Sequence, residues 1–314
     1  MKSGNETSSA DFILLGLLSQ TKVHIFSLAL ILLAFITAVS GNVLLILLIK
    51  VDSSLHTPMY FFLSQLAFID ICETLIVVPK MAAGFQSAGN PISPVACGAQ
   101  IFLSLTVGVS ECLLLAVMAY DRYAAICNPL QYPILLSRKV CLGLTSGVWI
   151  AASADALILA ASTMQLSYCG SREINHFFCE VPALLKLSCT DTSQYETLVF
   201  MTSVVLLLIP SSIIIASYAR ILATVLRMNS TKPRKALATC SSHLTVVVIY
   251  YGAGIFMYLR PTSYHSPDQD KIVSLFYTVV TPVLNPLIYS LRNKDVLGSL
   301  RKLFGKCRVF QQNL

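Results

Sequence analysis

AQIFLSLTVGVSECLLLAVMAY, residues 99–120, carries one charged side chain, Glu111, in an otherwise apolar or weakly polar run. A bilayer core about 30 Å thick needs roughly 20 such residues in a helix. Six further stretches read the same way: Val23–Ile49, Thr57–Pro79, Val140–Ser162, Thr197–Val225, Ala236–Leu259 and Ile272–Leu291. Barrel strands would be about 9–11 residues long with dyad alternation, and these runs are too long and too continuous for that. The whole composition agrees. Of 314 residues, 55% are apolar and only 12% charged, and mean hydropathy is +0.73. A soluble domain carries about 25% charged residues. Too few charges remain to coat a soluble surface, and neither a disordered chain nor a collagen-like one tolerates so much apolar content.

The expected fold is therefore an all-α membrane protein, a seven-transmembrane helix bundle with a short amphipathic C-terminal helix. It forms one domain, 1–314, with an outer tail over 1–22, the bundle over 23–291 and a cytoplasmic tail over 292–314. The first apolar run follows a polar stretch containing Asn5, Glu6 and Asp11, so it reads as a signal anchor, not a cleaved leader. Seven spans put the termini on opposite sides. With the N-terminus outside, 15 of the 22 Lys and Arg residues fall in cytosolic segments, among them Arg122, Arg138, Lys139, Arg220, Arg227, Lys232, Arg234 and Lys235. The positive-inside rule selects that orientation. The net charge of +7 is then a membrane-face asymmetry, not a nucleic-acid signal.

The ten cysteines sort with this topology. Cys97, Cys169, Cys179 and Cys189 fall outside, where disulfides persist, and spacing leaves their three possible connectivities open. Cys72, Cys112 and Cys240 read as small apolar packers within helices. Cys127, Cys141 and Cys307 face the cytosol, and Cys307 is either a palmitoylation site or a free thiol. Asn5-Glu6-Thr7 is a glycosylation sequon in the outer tail.

The chemistry is not enzymatic. There is no phosphate-cradling Gly-rich loop, no HExxH and no CxxC zinc pattern, and the five histidines are scattered. What remains is intramembrane acid: Asp70, Glu73, Glu111 and Asp155. Such groups are costly and usually functional. Asp70 and Glu111 lie mid-span, where facing carboxylates hold a cation such as sodium, or hydrogen-bond to neighbouring hydroxyls and waters. Spacing leaves both open. Pro210, Pro282 and Pro286 interrupt the fifth and seventh spans and free carbonyls. Asn285, beside Pro286, is expected to hydrogen-bond that freed backbone.

Several blocks carry a family resemblance. Met118-Ala119-Tyr120-Asp121-Arg122-Tyr123 closes the third span, and Asn285-Pro286-Leu287-Ile288-Tyr289 lies late in the seventh. These resemble the Asp-Arg-Tyr and Asn-Pro-x-x-Tyr motifs of rhodopsin-like G-protein-coupled receptors. Leu55-His56-Thr57-Pro58-Met59-Tyr60-Phe61-Phe62-Leu63-Ser64, Lys235-Ala236-Leu237-Ala238-Thr239-Cys240-Ser241-Ser242-His243-Leu244 and Pro282–Asn293 are similar to olfactory receptor signatures. The resemblance covers nearly the whole chain. Departures are small: Ala124 where Val is usual, Ser110 where Thr is frequent, and Tyr250-Tyr251-Gly252 where Phe-Tyr-Gly is commoner. The sixth span lacks the Trp and Pro of other rhodopsin-like receptors, which leaves Tyr251 as the substitute for a tryptophan toggle.

The resemblance implies Cys97–Cys179 and Cys169–Cys189 disulfides and a sodium site at Asp70 and Glu111, with no other cofactor. It also implies coupling to a stimulatory olfactory-type heterotrimeric G protein, with cyclic AMP as output. Asp121, Arg122, Tyr123, Tyr218, His243, Asn285, Pro286 and Tyr289 form the expected switch, in which Tyr218 and Tyr289 meet Arg122 in the active arrangement. Helical spacing nominates a ligand set facing the bundle interior. It comprises Ser104, Leu105, Gly108 and Cys112 on the third span, and Val199, Thr202, Ser203 and Leu206 on the fifth. Tyr251, Ile255 and Tyr258 follow on the sixth, with Leu275 and Thr278 on the seventh. The set suits a small, largely apolar odorant with one polar group. A non-odorant small molecule is the alternative ligand. A channel or transporter is disfavoured, because no inverted repeat or matched pair of broken helices is seen.

Overall fold

The computed structural model describes residues 11–17, 24–85, 90–227, 232–260, 264, 266–291 and 293–312. Asn5 lies outside them, as do the side chains of Lys232, Arg234, Lys235 and Cys307. In chain order the elements are β1 (Phe12–Leu14), α1 (His24–Val51), α2 (Pro58–Ala83), β2 (Asn90–Ile92), α3 (Pro94–Cys127) and α4 (Tyr132–Leu135). Then come α5 (Arg138–Met164), β3 (Glu173–Ile174), α6 (Val181–Leu185), α7 (Ser193–Arg227), α8 (Lys232–Tyr258) and α9 (Pro267–Leu275). A π-helical turn (Phe276–Val280), α10 (Thr281–Leu291) and α11 (Lys294–Gln312) complete the chain.

Seven helices are long and apolar enough to cross a membrane, and α9, the π turn and α10 make the seventh jointly. They match the seven apolar stretches in number and order. α3 sits centrally and packs on α2, α5, α7 and α8, while α1 packs on α2 and α10. At the last of these contacts a Cβ added to Gly41 would stand 3.2 Å from Pro286 Cγ, so glycine is what lets the two helices approach. Large apolar side chains such as Ile25, Phe26, Ile36, Ile150, Ile215 and Val248 point outward. Lipid, not water, suits that surface.

A helix-interrupting proline leaves a carbonyl four residues earlier without its helical donor, and at Pro210 and Pro286 a neighbouring span supplies the substitute. Pro210 frees Leu206 O, which accepts from the Cys112 thiol at 3.1 Å. Pro286 frees Pro282 O, which accepts from Asn42 Nδ2 at 3.0 Å. The role expected of Asn285 thus falls to Asn42. Asn285 cannot serve its own turn because its amide is drawn to a pair of carboxylates described below.

One end of the bundle carries a cap that three-residue strands gave no periodicity to reveal. β1 pairs antiparallel with β2 (Phe12 opposite Ile92) and parallel with β3 (Ile13 opposite Glu173). Phe12 and Leu14 bury their side chains beneath it. Both implied disulfides are formed at this end. Cys97–Cys179 joins α3 to the long α5–α7 connection, and Cys169–Cys189 closes that connection on itself, with Cα separations of 5.5 and 5.8 Å.

At the opposite end α11 docks on the turn after α1. Ser299 Oγ donates to Asp52 at 2.6 Å, and Lys302 Nζ lies 3.4 Å from the same carboxylate. Hydrogen bonds from Ser299 and Ser54 hold the Asp52 carboxyl well below its ordinary value. Tyr60, on α2, meets Asn293 and Asp295 at 3.2 Å. Cys112 and Cys240 are buried, as packers should be. Cys141 is buried too, not open to solvent as its position near a span end suggested, because it faces Leu136, whose carbonyl lies 3.5 Å from the thiol. Cys127 lies 3.3 Å from Thr224 Oγ1.

Candidate functional site

Below the sheet, α3, α5, α7, α8, the π turn and the disulfide-held segment enclose a cavity of about 950 Å³, counted out to its mouth. Its lining includes Ser104, Leu105, Gly108 and Cys112 from α3, Thr202, Ser203 and Leu206 from α7, and Tyr258 from α8. These eight are brought together as the helical spacing proposed.

The remaining five nominated residues are not in the lining. Val199 is buried one turn away from Ser203, among Tyr195 and Leu159. On α8 the cavity-facing row is Tyr250, Gly254 and Tyr258, at steps of four. Tyr251 and Ile255 sit one residue, about 100°, round the helix. Ile255 consequently faces outward, and Tyr251 Oη donates to Cys112 O at 2.8 Å. In the seventh span the π turn inserts an extra residue and shifts the helical phase. Tyr277 therefore lines the cavity. Leu275 packs near Ile31 and Val77, and Thr278 is fully buried, donating to Ser274 O at 2.7 Å.

Residues without a nominated role also appear in the wall: Glu73, Asp155, Glu180, Tyr250 and Tyr277. Asp155, left unassigned from sequence, is half-buried there. Glu180 follows the disulfide-bonded Cys179, and that adjacency was its one legible signal. Its carboxylate accepts from Ser274 Oγ at 2.9 Å, from Tyr258 Oη at 3.4 Å and from Tyr277 Oη. His176 Nε2 approaches it to 3.2 Å without hydrogen-bond alignment. Burial, together with Asp270, pushes the Glu180 carboxyl up to about 7 despite these donors. Burial and the positive charges of Lys271 and Lys186 push His176 down to about 3, leaving its imidazole neutral.

Deeper in the bundle, Asn285 Nδ2 donates to both Asp70 oxygens at 3.0 and 3.1 Å and reaches Glu111 Oε1 at 3.5 Å. Asp70, Glu111 and Asn285 are all buried. The two acids thus share one amide. Asn285 Oδ1 and Ser110 Oγ have no protein partner, so further oxygen acceptors remain in the vicinity of a hard-cation donor set.

At the end away from the sheet, Asp121 turns to Tyr132, whose hydroxyl donates to it at 2.7 Å. No ion pair forms with the adjacent Arg122, because α4 presents a better-aligned donor. Arg122 and Tyr289 line a small shared cavity with Met118, Ser242 and Asn293. Tyr218 Oη is hydrogen-bonded to His243 Nδ1 at 2.8 Å. In this arrangement Tyr218 is thus engaged by His243, and its meeting with Arg122 is expected of the active arrangement. Tyr123 packs against a cluster formed by Ile221, Val225 and Cys240.

Seven spans, a disulfide-lidded cavity at one end, Asn285-Pro286 in the bundle's interior and Asp121-Arg122-Tyr123 with Tyr289 at the other end define a rhodopsin-like seven-helix receptor. Comparison with known proteins sharpens the class. The olfactory receptor family profile matches residues 30–306. Olfactory receptor 2T27 of Homo sapiens is 55% identical over 98% of this chain and 97% of that protein. Olfactory receptor 2V1 of Mus musculus is 56% identical over 98% of each. The chain belongs to the olfactory receptor family, and it is a receptor, not an enzyme.

Proposed function

We infer that this odorant receptor binds a small, largely apolar ligand in the 950 Å³ cavity and activates a stimulatory olfactory-type heterotrimeric G protein, raising cyclic AMP. The reading places it in the plasma membrane, with the sheet-bearing end and a glycan on Asn5 outside. The carrying observation is the cavity itself: apolar walls from three helices, a few hydroxyls, and a roof held by Cys97–Cys179. At the other end, Arg122, Tyr289, Tyr218 and His243 form the element whose rearrangement opens a groove for a G-protein helix. The basic run Arg227, Lys232, Arg234 and Lys235 flanks that groove.

Asp70 and Glu111 are the residues that would hold a sodium ion, in the place the Asn285 amide nitrogen takes between them in this arrangement. A bound sodium supplies positive charge that two buried carboxylates otherwise lack. Glu111→Gln then shifts basal activity and its dependence on sodium; a variant unchanged in both leaves the acids a structural role only.

The direct test is an odorant panel applied to cells expressing the chain, with cyclic AMP and ion current recorded together. Ligand-evoked cyclic AMP without a receptor-borne current supports the reading. Leu105→Trp, which fills the cavity, should abolish the response at matched surface expression. Responses that survive it place the ligand elsewhere.

A further inference from the structure

Among the described residues, four carboxylates line the cavity, Glu73, Glu111, Asp155 and Glu180, and no Lys, Arg or His does. Their surroundings differ. Glu180 is engaged by three hydroxyls, and Glu111 is within reach of the Asn285 amide. Glu73 is only 5% exposed, and its Oε2 has no hydrogen-bond partner in the protein. A buried carboxylate oxygen left unpaired is costly, and the cost is relieved by a donor, most of all by a charged one. The rings of Tyr250, Tyr258, Tyr277 and Phe178 share the cavity wall with it. Aromatic faces attract organic cations.

The geometry points to a cationic ligand: a small alkylamine whose ammonium group is held by Glu73 and whose hydrocarbon body fills the apolar wall formed by α3 and α7. This rests on the reading that the cavity is the odorant site. A metal ion is the weaker occupant, because among the described residues no group of three His, Cys, Asp or Glu converges as ligands. A carboxylic acid of the same length meets like charge. An alcohol offers a single neutral hydrogen bond where an ammonium offers charge and several donors.

The test compares hexylamine, hexyltrimethylammonium, hexanol and hexanoic acid, with their heptyl and octyl homologues, on cells expressing the full chain. The readout is activation of any of a set of G-protein α-subunits, so that it does not depend on the coupling partner. On the parent receptor the amine should act at concentrations about tenfold or more below those of the matched alcohol, and the acid should be inactive. Glu73→Gln should raise the amine half-effective concentration by about tenfold and leave the alcohol within about twofold, while Glu73→Asp keeps the amine preference. Should Glu73→Gln fail to reach the surface, the ranking on the parent receptor and on Glu73→Asp decides.

Alcohols that match amines on the parent, an amine response untouched by Glu73→Gln, or a panel in which no amine activates overturns the inference. Leu105→Trp separates the two levels. If it abolishes alcohol responses while no amine preference exists, the cavity reading stands and the amine inference falls. If it abolishes nothing, both fall.

Discussion

Under the sheet, Glu180 gathers hydroxyls from Ser274, Tyr258 and Tyr277, and two disulfides hold the segment that carries it. At the far end, Arg122 Nε, Tyr289 Oη, Ser242 Oγ and His243 Nε2 are all buried with no protein partner. An unsatisfied buried donor costs roughly 1–3 kcal/mol. Unpaired groups occur under the sheet too, at both His176 ring nitrogens and Glu73 Oε2, but there two disulfides hold the frame, whereas the Arg122 end holds groups that gain by finding new partners. A two-state receptor needs such a division: a preformed site that recognises, and an element whose alternatives lie close in energy.

The sharpest way to break the comparison is at Arg122. Arg122→Ala should abolish G-protein signalling while surface expression stays largely intact, because the side chain has no ion pair in this arrangement whose loss would unfold the bundle. Undiminished responses from a well-expressed variant would mean that the poorly satisfied end is not the switch. The next largest effect belongs to the tied end. Cys97→Ser unties the cavity roof from α3 and should cost about 2–5 kcal/mol. Surface delivery and the thermal midpoint of the purified receptor measure it, and equal loss of tether and of signalling is the expected pattern. Intact folding in that variant would show that hydrogen bonds alone hold the roof.

A third test asks whether Glu180 and His176 act as one unit. Their ordinary values are 4.5 and 6.5, and in the fold they move apart to about 7 and about 3. The raised acid makes the folded state lose stability as pH climbs from 4.5 through 7. The depressed histidine makes it lose stability as pH falls below 6.5. Between 4.5 and 6.5 the pair holds one proton whether folded or unfolded, so the two slopes cancel. Lys186, Lys271, Asp270, Tyr258 and Tyr277 are the titratable neighbours and remain in place. Glu180→Gln removes one slope. Its thermal midpoint should then drop between about pH 7.5 and about pH 5, by roughly 2 kcal/mol of stability. The parent should stay nearly level over that range, and His176→Phe should show the opposite slope. A Glu180→Gln midpoint that matches at the two pH values rejects the pairing.

The same two ends differ in how far they could be read from sequence. Spans and two sides of the cavity follow from apolar runs and helical spacing, since α3 and α7 keep a constant phase past Gly108 and Ser203, while the disulfide pairing and the Arg122 end come from the family resemblance. The third side was misread where phase changes. The π turn at Phe276–Val280 exchanges Leu275 and Thr278 for Tyr277, and a one-residue offset on α8 exchanges Tyr251 for Tyr250. The roof was invisible for another reason. A three-residue strand has no period to detect, and Glu180 reaches the cavity through a crosslink 82 residues long in sequence. Asn42 escaped notice because its partner, Pro282 O, lies 240 residues away.

The smallest effect tests the boundary between recognition and switch, on two tyrosines seven residues apart. Tyr258 lines the cavity and donates to Glu180 at 3.4 Å. Tyr251 is outside the cavity and donates to the Cys112 carbonyl at 2.8 Å, on the helix face whose thiol already serves the carbonyl freed by Pro210. One hydroxyl bond is worth about 0.5–1.5 kcal/mol net. Glu180 keeps Tyr277 and Ser274 when Tyr258 becomes Phe, so the carboxylate is not stranded. Tyr258→Phe should therefore raise the half-effective concentration by about tenfold at most and leave the maximal response intact. Tyr251→Phe removes the donor that ties α8 to α3. It should leave the half-effective concentration closer to the parent and instead change the maximal response or basal activity. Concentration–response curves at matched surface expression separate the two. Two curves that overlay the parent would show that both rings only fill space, and the line between a recognising end and a switching end would have to be drawn elsewhere on α8.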